Sequence, residues 1–248
     1  MQNNEIFHQM LAEFIGTMFL LLFGEGVCAM NSIFGLGGYV NITLGWGLAV
    51  FFGILVSARI SGSHLNPAVT VALWVTKRFP GKKVPYYIAS QMLGAFLGAA
   101  IVYYFYHTKL LVVDPTLSHS SEIFATFPAM PNDYFASVMS ELIGTAILMF
   151  GILAIIEHFT EENAPFLVPA AVALLVVAIG ASFGGMHGYG INPARDFSPR
   201  LLITLLDFQN NGLTDGSLVW TQVIIGSLIG GPLGAILYDL TVGKKAGK

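Results

Sequence analysis

Apolar positions in this chain run on continuously instead of alternating with polar ones. Six stretches stand out: residues 6–30, 42–60, 86–106, 135–156, 166–183 and 218–240. Each is close to the run of about 20 mostly apolar residues that an α-helix needs to cross bilayer hydrocarbon. The pattern predicts an all-α membrane protein with six transmembrane helices. Little chain is left for a soluble domain, so residues 1–248 read as one membrane domain.

Two segments between these stretches carry the same tripeptide. Asn66-Pro67-Ala68 and Asn192-Pro193-Ala194 lie 126 residues apart (192 − 66). Asn is a favoured N-cap. Pro is favoured at the first helical position, where its missing N–H costs nothing. Each tripeptide therefore starts a helix. Residues 69–76 and 195–205 supply only about two or three turns, too few to cross. They read as half-helices that re-enter the membrane from opposite faces. The residues before them, Gly62, Ser63 and His64 in one copy and Gly188, Tyr189 and Gly190 in the other, are non-helical in character. Such backbone persists at membrane depth only where it is buried in protein or lines a cavity, so its carbonyls are expected along a channel. Alone, an Asn-Pro-Ala is an ordinary helix cap. Two copies at matched positions point to a pore centre. There the two helix dipoles put partial positive charge, which opposes cations and lets neutral hydroxylic molecules pass.

The halves match elsewhere too. Residues 12–17 (AEFIGT) resemble residues 140–145 (SELIGT) at an offset of 128, and Gly94 and Gly98 resemble Gly226 and Gly230 at an offset of 132. Each half then holds three spans and one half-helix. Three is odd, so the second half enters from the other side. The expectation is an inverted repeat over residues 6–107 and 134–240, with equivalent parts meeting near the midplane. Small residues four apart, at Gly94/Gly98, Gly180/Gly184, Gly226/Gly230 and Gly230/Gly234, suit close helix packing.

Composition agrees. The chain is 55% hydrophobic and 10% charged, with mean hydropathy +0.72, against about 25% charged in soluble domains. Its one cysteine, Cys28, excludes an intrachain disulfide. The N-terminus lacks a basic leader, so the first stretch reads as a span and not as a cleaved signal. Lys77, Arg78, Lys82 and Lys83 follow the second span, and Lys244, Lys245 and Lys248 follow the last. Both sets fall on one side, which the positive-inside rule makes cytoplasmic, with both termini. The opposite side carries Asp114, Glu122 and Asp133, with Lys109 as its only basic residue. No Ser/His/Asp, paired-acid or metal-ligand spacing lies in the spans. The expectation is no enzyme, cofactor, metal or nucleic acid.

At these motifs the chain resembles the aquaporin family along its whole length. Residues 64–70 (HLNPAVT) and 190–196 (GINPARD) look like its two signature loops. The resemblance implies an aquaporin-like right-handed bundle with one pore per subunit, a homotetramer, and a place in the plasma membrane. It implies that Glu13 and Glu141 brace the re-entrant loops. It also implies that Arg195 forms the narrowest point near the extracellular side, donating to passing hydroxyls and excluding cations. Trp46, twenty residues before Asn66, matches the span-two aromatic of glycerol facilitators. Gly180 matches a position where water-selective members carry His, which implies a wider opening. Tyr189 stands where glycerol facilitators usually have Phe; its added hydroxyl narrows or polarises the slot. Asp196, Arg200, Pro232 and Leu233 resemble the aquaglyceroporin branch.

The resemblance thus implies a passive channel for glycerol and other small neutral solutes, with water. Urea, dihydroxyacetone, hydrogen peroxide and lactic acid are further candidates that the sequence does not rank. A mainly water-selective channel is the alternative within the class. Outside it, an ion-coupled transporter also uses inverted repeats and broken helices. That reading needs a coupling-ion site, and no cluster of mid-span carboxylates lies beyond Glu13 and Glu141. His187 is expected at the outer mouth, as a pH-sensitive gate or an inert loop residue. Glu25 and Arg59 match no expected position. They are placed at opposite ends of their spans, unpaired, near the membrane interfaces.

Overall fold

The computed structural model describes residues 2–159 and 164–243; Lys244, Lys245 and Lys248, used above for topology, lie outside the described residues. The described residues form eight α-helices and no strand. They are α1 (Gln2–Phe34), α2 (Tyr39–Ser61), α3 (Pro67–Val75), α4 (Val84–Val113), α5 (Tyr134–His158), α6 (Val168–Phe183), α7 (Pro193–Leu205) and α8 (Val219–Thr241). All but α3 and α7 are long and apolar enough to cross a membrane. Every expected span is found, and α1 and α4 outrun their expected limits at both ends.

α3 and α7 start where the cap residues dictate. The Asn66 side chain accepts from the Ala68 N–H, and that of Asn192 accepts from the N–H groups of Ala194 and Arg195, with Pro at the first position each time. The half-helices pack across the molecule: α3 lies against α8, and α7 against α4. The remaining main contacts are α1 with α2 and α4, α5 with α8 and α6, and α2 with α6. Exchanging the first four helices for the last four reproduces this scheme.

The long crossings depend on missing side chains. A Cβ at Gly98 would stand 2.8 Å from the Met18 carbonyl oxygen of α1, and one at Gly226 would stand 2.7 Å from that of Val138 in α5. Gly94 and Gly230 are tighter still, against the backbone at Phe14 and Leu142. Without a hydrophobic drive between helices in lipid, this close backbone approach supplies packing energy. Gly180 and Gly184 serve differently from the sequence expectation. They face the side chains of Tyr189 and Tyr39.

A candidate solute pathway between the half-helices

The two loops that lead into α3 and α7 share an unusual backbone. Gly62, Ser63 and Leu65 have φ of 84°, 53° and 52°; Gly188, Tyr189 and Ile191 have 70°, 43° and 38°. The pairs are again 126 residues apart. Left-handed φ is a genuine outlier for a β-branched residue such as Ile191. Each such residue costs on the order of 1–3 kcal/mol and persists only where its surroundings fix it.

Buried carboxylates do the fixing. Glu13 is wholly buried and accepts from the N–H groups of His64 (2.9 Å) and Leu65 (2.8 Å), from the Ser61 hydroxyl (2.6 Å) and from the Gln91 amide (2.7 Å). Glu141 accepts from the N–H groups of Gly190 (2.9 Å) and Ile191 (2.6 Å). His187 sets Nδ1 3.2 Å from Glu141 Oε1 and Nε2 2.9 Å from Gln222 Oε1. This corrects the expectation for His187. It is 1% exposed and packed behind its loop, not turned to the outer mouth. With these N–H groups held from behind, the loop carbonyls are free to turn the other way.

The loops are tied to each other at the centre. Asn66 Nδ2 donates to the Ile191 carbonyl and Asn192 Nδ2 donates to the Leu65 carbonyl, each at 2.8 Å. An amide group carries two N–H donors, so each Asn keeps one beyond this cross-bond. A cavity of about 180 Å³ passes this point. Gly62, Ser63, His64, Gly190 and both Asn residues are among its lining. Val50, Ile54, Leu148, Ile152, Val172 and Val176 line it with hydrocarbon. His64 is held by Thr70 Oγ1 at 3.1 Å and by the edges of Phe79 and Tyr87.

Trp46, Tyr189 and Arg195 stand together along the same cavity. The Arg195 guanidinium lies 4.2 Å above the Trp46 ring, a cation–π contact worth about 0.5–2 kcal/mol. Its Nη1 donates to the Phe124 carbonyl at 3.0 Å. Among the described residues the Tyr189 hydroxyl is buried with no hydrogen-bond partner. Gly180 makes room beside its backbone. The Tyr189 ring takes the space, with Cζ 2.8 Å from where a Cβ of Gly180 would be. Tyr39 closes over it by donating to the Gly180 carbonyl at 2.8 Å.

Asp196 and Arg200 are buried behind Arg195 and tie three segments together. Asp196 accepts from the Thr126 N–H and hydroxyl, both at 2.8 Å, and from Arg200 at 3.0 Å. Arg200, fully buried, also donates to the carbonyls of Thr126 (2.6 Å) and Asn211 (2.9 Å) and sits 4.8 Å over Phe127. A buried pair is sound only with its remaining hydrogen bonds met, and here they are. Pro232 and Leu233 lie inside α8, where neighbouring Gly231 lets the Ala68 carbonyl of α3 come close.

Sequence reasoning missed Gln91, Ser61, Gln222, Phe124, Thr126 and Tyr39, none of which belongs to a local motif. It also gave no account of Glu25. That residue is wholly buried in protein, a burial that sequence reasoning did not foresee, and Arg59 is exposed. The signal was available. Glu13, Thr17, Leu21 and Glu25 follow at steps of four and are all 0% exposed, so Glu25 lies on the inward stripe of α1. Among the described residues, no group of three or more His, Cys, Asp or Glu could hold a metal ion.

Comparison with known proteins agrees with this geometry. The family described as "Major intrinsic protein" matches residues 1–238. A glycerol uptake facilitator protein of Bacillus subtilis is 43% identical over 232 residues, covering 92% of this chain and 82% of that one. A probable glycerol uptake facilitator protein of Thermotoga maritima is 45% identical over 233 residues, covering 92% and 97%. The X-ray structure of the aquaglyceroporin from Plasmodium falciparum superposes with a TM-score of 0.86 at 33% identity, covering 96% of this chain and 97% of that one. With the family matched along nearly all its length, and with two cross-bonded half-helices at its centre, the chain belongs to the major intrinsic protein family.

Proposed function

We propose that this protein is a passive membrane channel for glycerol and other small neutral solutes, with water among them. One observation carries the reading: a cavity at the meeting point of the half-helices lined both by hydrocarbon (Val50, Ile54, Leu148, Ile152, Val172, Val176) and by loop residues with Asn66, Asn192 and Arg195. A polyol has the same dual character. Its carbons lie against Val, Ile, Leu and Trp46, while its hydroxyls donate to the carbonyls and accept from Asn66, Asn192 and Arg195. The names of the two bacterial relatives, both glycerol uptake facilitators, support the same substrate.

On this reading Trp46, Gly180, Tyr189 and Arg195 form the selectivity filter and the paired Asn-Pro-Ala motifs form the central constriction. Urea, dihydroxyacetone, hydrogen peroxide and protonated lactic acid are within the chemistry of such a slot. Residues 6–107 and 134–240 are the two inverted repeats of one channel domain. The outward apolar residues of α2 (Leu44, Leu48, Leu55) and α4 (Leu93, Tyr104, Phe105) face lipid or neighbouring subunits of a homotetramer. Both termini lie on the cytoplasmic side of the plasma membrane. The test is stopped-flow light scattering on proteoliposomes across that solute panel. Glycerol flux equal to that of empty liposomes with intact water flux would return the protein to the water-selective alternative.

A further inference from the structure

Tyr189 stands in the filter without a hydrogen bond from its own side chain. Its hydroxyl has no partner among the described residues, so packing places the ring. Its backbone holds a φ of 43°, a strained value that persists only where the surroundings fix it. The ring lies on a shelf of two glycines at the end of α6. A Cβ at Gly180 would stand 2.8 Å from Tyr189 Cζ and 3.0 Å from Cε2, and one at Gly184 would stand 2.6 Å from Cδ1.

Tyr39 reaches the same shelf from the head of α2. Its hydroxyl donates to the Gly180 carbonyl at 2.8 Å. A Cβ at Gly184 would overlap that hydroxyl as well as crowd the Tyr189 ring. The Tyr39 hydroxyl and the edge of Tyr189 therefore meet beside Gly184. The Gly180 carbonyl already accepts the Gly184 N–H at 3.1 Å, so the end of α6 does not need the tyrosine to satisfy it. Residues 39, 43 and 46 follow at steps of four and three and share one face of α2. Trp46 lines the cavity, and Thr43 Cγ2 lies 3.1 Å from the Cβ position of Gly180. Tyr39 continues that stripe two turns beyond Trp46. It is 46% exposed and stands outside the cavity lining, behind a ring that belongs to it.

We propose that Tyr39 is a positioning residue of the filter. Bonded to the Gly180 carbonyl, it holds the Tyr189 ring on the glycine shelf and so sets the largest polyol that passes. It acts through Tyr189 and not by contact with solute. The inference rests on the channel reading above.

The experiment measures erythritol, one carbon longer than glycerol, beside glycerol by stopped-flow light scattering on proteoliposomes of the full chain. One carbon in a fitted apolar site is discriminated by about tenfold or more. Tyr39→Ala frees the ring and should raise the erythritol-to-glycerol ratio on the order of tenfold. Tyr39→Phe keeps the ring of residue 39 and removes only its bond; it should raise the ratio in the same direction by less, and it carries the test alone if Tyr39→Ala fails to fold. Tyr189→Ala should raise the ratio by itself, and adding Tyr39→Ala to it should change nothing further, because coupled residues are not additive. A wild-type ratio in Tyr39→Phe overturns the role given to the bond. An equal further rise in the Tyr189→Ala background overturns the proposal too, since Tyr39 would then act without Tyr189. So does loss of glycerol flux in both folded Tyr39 variants, which would make the residue merely structural. Absence of glycerol flux in the wild type is a separate result, seen before any variant is compared, and it takes down the channel reading together with this inference.

Discussion

At the scale of single residues, Arg195 and Tyr189 make the most exposed commitments. Among the described residues the Arg195 side chain has one hydrogen bond, to Phe124, and one ring contact, at Trp46. Neither is needed to start α7, since Asn192 and Pro193 do that. Arg195→Val should therefore keep the fold, enlarge the opening and raise proton leak on the order of tenfold. The leak stays bounded because the dipoles of the two half-helices still oppose cations at the centre. A pH-sensitive dye in proteoliposomes under an imposed potential reads it, beside glycerol flux. An unchanged leak with unchanged solute selectivity would make Arg195 a structural residue. Tyr189 holds a buried hydroxyl without a partner among the described residues, a liability of about 1–3 kcal/mol. Tyr189→Phe should raise the melting temperature and increase the ratio of glycerol to water permeability. A lower melting temperature would mean that the hydroxyl has a partner in the working channel.

At the scale of elements, what was legible in the sequence is what local chemistry fixes. Asn and Pro at positions 66–67 and 192–193 announce two helix starts by capping alone, and the six apolar runs announce six spans. Glu13 and Glu141 stood out as costly in an apolar run and proved to hold the loops. The remainder depends on rotation and distance. Nothing near Gly180 in the chain tells that the Tyr189 ring fills its space, and nothing near Asp196 names Thr126, 70 residues away, as its donor. His187 was expected at the outer mouth from its place just before Gly188; its burial comes from Glu141 and Gln222 on two other helices. The strained loops give the element-scale prediction. Glu141→Ala strips the acceptor from the N–H groups of Gly190 and Ile191, each worth about 1–3 kcal/mol when left buried and unmet. It should lower the melting temperature in detergent by several degrees and abolish glycerol flux. Glu141→Gln, which keeps one acceptor oxygen, should lose less on both counts.

At the scale of the whole molecule, passive conduction and coupled transport predict different energetics. The two half-helices are locked to each other by Asn66 and Asn192, and α7 is locked to the loop between α4 and α5 and to the loop before α8 by Asp196 and Arg200. A transporter must rock one half against the other around its site, and the two Asn cross-bonds span that division. The expected behaviour is glycerol flux linear in the gradient, indifferent to sodium or proton gradients. Flux that collapses when the ion gradient is removed would move the protein to the coupled class. The same rigidity has a limit at low pH, set outside the membrane. Asp114 at the end of α4 is buried, which pushes its carboxyl up, but the Ser120 hydroxyl and the N–H groups of His119, Ser118 and Ser120 outweigh this and bring it down to about 2 from an ordinary 3.8. A carboxyl lowered by folding contributes stability that is complete above its unfolded value and is lost as pH falls through its folded one. The loop over residues 114–120 should therefore hold at pH 5 and loosen between about pH 4 and pH 2. Hydrogen exchange at the Ser118, His119 and Ser120 amides should accelerate over that window beyond the intrinsic pH trend. In Asp114→Asn the amide should be fast already at pH 5, with glycerol flux retained, because the loop lies away from the filter residues Trp46, Tyr189 and Arg195. Protection in Asp114→Asn equal to wild type at pH 5 would show that the loop is held by its packing and not by this carboxylate.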